Sequence, residues 1–341
     1  MVTMQDIARE AGVSRTTVSL VLGGRYGNAR IGESSKAAVL EAAKRLGYRR
    51  NELARAMITG KNNTLAFVAK GIDQEYHAKV LDGVSQAANA RGFHVKLHLL
   101  RHFQGRLEDF VAGVFGQRPA GVVMRSAPNE LVDMVFAEPA ARETPLAVVG
   151  SSFPLPWGVR VVSDDERGAR EATELMLRQG RRRVAHLSMS RGAGYVEARR
   201  FGYEQALSRA GLRFDESLVV HRPTLDAAES AFGALLAMTP RPDAVCCASD
   251  ALALLALRTA RSLGLAVPRD LAVAGYGNLG FSALTDPPLT TVNERLEEAG
   301  LLAATELLDL IERGGDPTQI HCDTKLEAEL VERGSTAPST N

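Results

Sequence analysis

The chain is 341 residues long, 45% hydrophobic and 24% charged, with a net charge of +1. It is too long for one small core and ordinary in composition, which points to a soluble protein of two or three domains. No run approaches the length of a membrane span, and the charge total by itself predicts no nucleic-acid partner.

The distribution of charge says more. Residues 1–60 hold ten Lys/Arg against five Asp/Glu, so a head of +5 precedes a remainder of −4. A basic head on a mildly acidic body is the asymmetry of a nucleic-acid reader. Of the three cysteines, Cys246 and Cys247 are adjacent in an apolar run and Cys322 is distant. Neighbours in a strand point to opposite faces, so they form neither a disulfide nor a zinc site, and buried free thiols suit a reducing compartment. The opening "MVTMQDIAREAG" has no apolar signal segment, so a cytoplasmic location without membrane contact is expected.

The elements begin at once. Thr3 and Asp6 have capping-box spacing, and Met4, Ile7, Ala8 and Ala11 make one apolar stripe. Gly12 ends that helix, and Ser14 caps a second in which Val18, Val21 and Leu22 face inward. Arg15, Thr16, Ser19 and Leu20 are left outside. A third helix runs from about Ser34 to Leu46, with Val39, Ala43 and Leu46 inward and Gly47 as its stop. Two short helices joined by a glycine turn, with a small polar outer face and an arginine, describe a helix-turn-helix.

"TMQDIAREAGVSRTTVSLVL", "AAKRLGYRRNELARAM" and the later "PPLTTV" resemble the LacI/GalR family of bacterial transcription repressors over essentially the whole chain. The resemblance implies that the second helix enters the major groove. Arg15, Thr16 and Leu20 would then meet base edges, and Ser14 and Thr17 phosphates, with Thr3, Arg25 and Arg30 as further DNA-binding candidates. An arginine paired bidentately with guanine is worth roughly 1–3 kcal/mol of discrimination. Leu20 departs from the polar residue common there and is restricted to apolar contact, for instance with a thymine methyl.

Residues 51–63, "NELARAMITGKNN", read as a hinge helix too short to persist alone in water, ordering on DNA or against a second copy. The family packs two such helices in the minor groove with a leucine wedge. Asn51, Ala54 and Met57 are the candidates here, Met57 standing at the wedge position.

Beyond Asn63, apolar runs ("TLAFVA", "HVKLHLL", "AGVVMR", "LAVVG") alternate with helical stretches at 77–91 and 105–116. A second set ("RVAHLSM", "LVVH", "AVCCASD", "LAVAGYG") alternates with helices near 166–179, 197–210, 226–238 and 250–263. Two such halves predict two α/β lobes of doubly wound parallel sheet with a ligand cleft between them. The expected fold is therefore an all-α helix-turn-helix head (1–50), a hinge (51–63) and a two-lobed body like the periplasmic binding proteins (64–341). The resemblance adds three crossings between lobes, giving about 64–162 with 292–322 and about 163–291 with 323–341.

Ligands of such sheets sit beyond the carboxyl ends of the strands. That places Tyr76, His77, Arg125, Ser126, Asp165, Ser249 and Asp250 among the effector-binding candidates, with Tyr195 and Thr224 from nearby loops. Arg199, three residues before Gly202, occupies the position from which the family's arginine reaches the effector.

"GYGNLG" (275–280) matches G-x-G-x-x-G, the dinucleotide fingerprint. That fingerprint needs a helix opening at the glycines and an acidic residue ending the next strand. Pro287 and Pro288 stop any helix within about two turns, and Glu297 and Glu298 fall in an amphipathic helical run. The family's third loop position is commonly an aspartate for effector hydroxyls; here it is Gly277, followed by Asn278. With that carboxylate missing and Arg125 and Arg199 both aimed at the cleft, the expectation is an effector bearing a carboxylate or phosphate, or a sugar acid; the alternative is that Asp164, Asp165 or Asp250 neutralises one arginine internally.

No strand end offers a Ser/His/Asp set, a metal cluster or a phosphate loop, so neither an enzyme nor a cofactor or metal is expected. The expected function is a homodimeric, DNA-binding repressor of a pseudo-palindromic operator, controlled by a small-molecule effector, a sugar or sugar derivative. The competing reading, a solute-binding receptor without DNA function, conflicts with the basic helical head and the lack of a signal segment.

Overall fold

The computed structural model describes residues 2–23, 31–48, 62–125, 129–151, 153–189, 194–222 and 224–337. The chain divides into two compact units, Met1–Asn62 and Asn63–Asn341.

In the first unit, α1 (Met4–Ala11) opens with a capping box. The Asp6 N–H donates to the Thr3 hydroxyl at 3.3 Å, and the Thr3 N–H donates to the Asp6 carboxylate at 2.9 Å. Gly12 ends the helix in the left-handed region at φ 65, where a side chain is costly. The Ser14 hydroxyl accepts the Thr17 N–H at 3.0 Å and starts α2 (Arg15–Gly23). Helix α3 (Glu33–Arg45) follows, and an Arg45–Glu10 ion pair ties it back to α1. Ile7, Ala8, Val18, Val21, Val39 and Ala42 form the core. Ala42 is buried on α3 while Ala43 and Leu46 are only half-buried, a shift of one position from the expected inward face.

The second unit holds two sheets. The first contains β1 (Thr64–Ala69), β2 (His94–Leu99), β3 (Gly121–Arg125), β4 (Leu146–Val149), β5 (Gly158–Ser163) and β11 (His321–Leu326), in the order β11-β5-β4-β3-β1-β2. The second contains β6 (Val184–Met189), β7 (Val219–Arg222), β8 (Ala244–Cys247), β9 (Ala272–Tyr276), β10 (Thr290–Asn293) and β12 (Glu329–Val331), in the order β12-β10-β9-β8-β6-β7. Pairing is parallel except between β10 and β12. Crossover helices cover the faces, as parallel sheets require. On the first lobe these are α4 (Glu75–Ala90), α5 (Leu107–Phe115) and α6 (Asn129–Ala137); on the second, α7 (Asp165–Arg178), α8 (Gly194–Arg209), α9 (Leu225–Leu236) and α10 (Asp250–Ser262).

The last helix, α11 (Leu296–Arg313), returns to the first lobe and packs on α4. Gly83 and Gly300 permit that contact: a Cβ on Gly83 would overlap the Glu297 carbonyl, and one on Gly300 the Val80 carbonyl.

The chain thus passes between lobes after β5, after β10 and after β11. Two expected boundaries need correction. Register between β11 and β5 is continuous from His321 opposite Gly158 to Leu326 opposite Ser163, so residues 323–326 belong to the first lobe and the crossing falls at Glu327. Asn293 still pairs with Glu329 of β12, which keeps 292–293 in the second lobe. Among the described residues, no helix is long and apolar enough to cross a membrane and no group of side chains has metal-site geometry.

Candidate functional site

On the head, the core-facing valines of α2 turn Arg15, Thr16 and Ser19 outward, all three exposed. Leu20 is half-buried at the edge of that face. The Ser14 and Thr17 hydroxyls are 2.9 Å apart and already joined, and the Thr3 hydroxyl serves the α1 cap. Arg25, Arg30, Asn51, Ala54 and Met57 lie outside the described residues.

In the body, the cleft residues gather where strands end and lobes cross. Asp165 opens α7 directly after the first crossing, Glu294 follows β10 at the second, and Arg199 projects from α8. The Arg199 guanidinium lies 2.7 Å from Asp165 and 2.9 Å from Glu294, and donates to the Ala248 carbonyl at 2.7 Å. Its Cζ sits 3.6 Å from the centre of the Tyr276 ring and 5.0 Å from that of Tyr195, within cation–π range of both. Burial alone would lower the Arg199 pKa, but the Asp165 and Glu294 charges outweigh it and keep the guanidinium protonated. Burial pushes the Asp165 carboxyl upward, opposed by Arg199.

Arg125, the last residue of β3, faces this group from the first lobe. Its side chain occupies the space over Gly150, where a Cβ would overlap Nη1. It is 8% exposed, yet among the described residues its guanidinium makes one hydrogen bond, at 3.5 Å to the Val149 carbonyl, and its Nε has no partner. Beside it the His77 Nδ1 is likewise buried and unpartnered. Burial, then the Arg125 charge, lowers the His77 pKa to about 4, so the imidazole is neutral near pH 7. Tyr76 reaches across from α4: its ring lies against Gly277, and burial together with the Asp250 charge raises its pKa.

Tyr76, His77, Arg125, Asp165, Tyr195 and Arg199 therefore come together, while Ser126 lies outside the described residues. Four other expected cleft residues also serve the fold. The Ser249 hydroxyl caps α10 through the Leu252 N–H, and exposed Thr224 caps α9 through the Ala227 N–H. Asp250 gives both oxygens to the 276–291 loop, accepting from the Leu279 N–H at 2.8 Å, the Ser282 hydroxyl at 2.6 Å and the Thr291 hydroxyl. The Asn278 amide oxygen accepts from Arg333 at 2.8 Å. The "GYGNLG" glycines lead only into a short 3-10 turn, Gly280–Ala283, which bears no phosphate-binding helix N-terminus.

Of the two guanidiniums expected at the cleft, Arg199 is the one neutralised from within the protein, Asp165 being one of its partners. Arg199 is held by two internal carboxylates, whereas among the described residues Arg125 makes no ion pair and feels the Glu294 and Asp165 charges only at longer range. Glu294 and Tyr276 were not singled out in the sequence. The signal for Glu294 was available, since it is an acid directly after a strand at a lobe crossing, as Asp165 is at the first.

Residues 3–51 match the family described as bacterial regulatory proteins, lacI family, and residues 173–336 match the periplasmic binding protein-like domain. The HTH-type transcriptional regulator CelR of Thermobifida fusca is 33% identical over 323 residues, 91% of this chain and 92% of its own. DegA of Bacillus subtilis strain 168, also an HTH-type transcriptional regulator, is 30% identical over 303 residues, 87% of this chain and 88% of its own. Among solved structures, a CelR–cellobiose complex aligns with a TM-score of 0.72 at 31% identity, covering 98% of this chain and all of that one. A lac repressor dimer bound to operator and an anti-inducer shares the fold, with a TM-score of 0.83 at 23% identity over 98% of this chain and 99% of that one. The curated relatives are regulators rather than enzymes. With its helix-turn-helix head and two α/β lobes, this chain belongs to the lacI family of bacterial regulatory proteins.

Proposed function

We propose that the chain is a transcriptional repressor that binds a two-fold related operator as a homodimer and responds to a saccharide held between its lobes. The observation that carries the ligand reading is the Arg199–Asp165–Glu294 cluster, which offers donors and acceptors at the crossing strands with two aromatic rings against the guanidinium. Alternating hydroxyl donors and acceptors over a ring suit such a surface. The cellobiose bound to CelR supports the same class. Arg125 adds a finer requirement. A buried guanidinium with one long hydrogen bond among the described residues needs an acceptor, so the ligand carries one acidic group, a carboxylate or phosphate, directed at Arg125.

The dimer reading draws on apolar side chains left outside. Leu254 on α10 is 45% exposed and Leu284, in the loop held to α10 by Asp250, is 84% exposed. Isolated exposed leucines are ordinary, but two on neighbouring segments suit a two-fold contact. Ligand would change the angle between lobes at the three crossings, shift the first lobes of the two copies near residues 61–80, and so alter how the heads engage DNA.

The test has two arms. Duplexes selected from random DNA by the full-length protein are expected to contain inverted half-sites, and their affinity to change when ligand is added. Titration calorimetry with cellobiose and glucose against gluconate, glucuronate and glucose 6-phosphate is expected to favour an acidic member. Tighter binding of the neutral sugars overturns the acidic-group requirement, and failure to select any DNA overturns the repressor reading.

A further inference from the structure

The first two turns of α4 meet the 275–280 segment of the opposite lobe. Both Glu75 oxygens accept from the Gly280 N–H, at 2.9 and 3.1 Å, and Lys79 Nζ donates to the Asn278 carbonyl at 2.7 Å. Glu75 and Lys79 are also 3.3 Å apart, so each charge orients the other. Between them the Tyr76 ring lies on Gly277.

Each side of this contact is fixed to its own lobe. Asp250, Thr291 and Arg333 hold residues 278–282 to the second lobe through the hydrogen bonds at Leu279, Ser282 and Asn278. Helix α4 is held to the first lobe by its close packing on α11. The lobes are joined covalently only by three short crossings, the geometry of a hinge, so opening at this edge requires both Glu75 and Lys79 to release the loop. The contact borders a groove of about 370 Å³ lined by Lys79, Asn278, Asn293 and Arg295 among others. The two side chains are 38% and 31% exposed. Water and salt reach them, which keeps the contact weak enough to be reversible.

We propose that Glu75 and Lys79 form an interlobe latch, positioning residues that hold the 275–280 loop against α4 and so set Tyr76 and Gly277 at the cleft. The latch acts on the cleft assigned above, but its test needs neither DNA nor ligand, so the two proposals fail separately.

In full-length protein with Cys322→Ser, spin labels are placed at Asp133→Cys on α6 and Asp226→Cys on α9, one exposed site per lobe. Glu75→Ala and Lys79→Ala are expected to broaden the interlobe distance distribution toward longer values. Hydrogen exchange in the 276–284 segment should rise roughly fivefold or more, as loss of one protecting contact allows. Glu75→Gln, which keeps an acceptor, is expected to stay closer to wild type, and Glu297→Ala, exposed in the same groove, to match it. Both readouts use folded protein, which melting temperatures check, since neither latch side chain is in a core. Unchanged distances and exchange in both alanine variants overturn the latch.

Discussion

Tyr76 and Gly277 face each other across the lobes so closely that a Cβ on Gly277 would stand 2.7 Å from the tyrosine Cε1. The backbone at Gly277 has φ 128, a region that side chains rarely adopt. Where the resemblance led one to expect an acceptor for effector hydroxyls, the opposite lobe supplies a phenol ring instead. Gly277→Asp therefore meets a steric and a backbone conflict. It strains the backbone and displaces Tyr76, and is expected to lower stability by about 1–3 kcal/mol. Adding Tyr76→Ala should recover part of that loss. Urea unfolding of the two single variants and the double variant measures the coupling, and strictly additive losses would remove the steric explanation.

The two cleft arginines should respond in opposite ways to truncation. Arg199→Met leaves Asp165 and Glu294 facing each other in a buried site, and breaking a buried pair in this way costs about 3–5 kcal/mol. Arg199→Lys does not restore it, because one ammonium cannot reproduce the fork shared by two carboxylates and a carbonyl. Arg125→Met removes a buried charge that, among the described residues, has one hydrogen bond, at 3.5 Å. Its stability should stay within about 1 kcal/mol of wild type, or rise, while affinity for an acidic saccharide falls at least about tenfold. Denaturant unfolding with calorimetry separates the two, and equal destabilisation by both substitutions would contradict the charge pairing described.

Local devices were the most legible parts of this molecule. The Thr3–Asp6 box, the Gly12 stop and the Ser14 cap each act within about three residues, so spacing alone carries them. The long apolar strands were legible for the same reason of period. What escaped depends on partners far along the chain. The position of Glu294, an acid directly after a strand at a crossing, is visible locally, but its pairing with the distant Arg199 is not. Asp250 satisfies the description of a cleft residue, a polar side chain at a strand end, equally well as that of a loop anchor. The hydroxyls of Ser282 and Thr291 reveal the second role. Strands β10 and β12, of four and three residues, are too short for alternation to register.

His186 makes stability depend on pH in a direction that can be isolated. It is fully buried on β6, stacked on Tyr203 at 5.2 Å, and burial holds its pKa down at about 3. An unfolded imidazole titrates near 6.5. Above that value neither state carries the proton and nothing is lost. Below it the unfolded chain binds a proton that the native state refuses, so stability falls with pH by up to about 1.4 kcal/mol per unit. The raised Asp165 carboxyl works in the opposite sense over an overlapping range, which masks the effect in wild type alone. The informative quantity is the stability of His186→Leu minus that of wild type, which should grow in favour of the variant between about pH 7 and pH 5. A difference that stays flat over that interval would show the imidazole to be protonated, or accessible to protons, in the native protein.

The head permits a prediction that leaves stability aside. Arg15 is exposed on a helix whose inward positions, Val18 and Val21, are buried, so Arg15→Ala removes no packing. If its guanidinium reads a guanine edge, the variant loses discrimination at one base pair in each half-site, by roughly 1–3 kcal/mol, and keeps its preference elsewhere. Losing a phosphate contact instead would weaken all sequences alike and reduce the slope of affinity against salt by about one charge. Binding-site selection with wild type and Arg15→Ala, followed by salt titration on the best duplex, tells the two apart. A uniform loss across sequences with a shallower salt slope would move Arg15 from base reading to backbone anchoring.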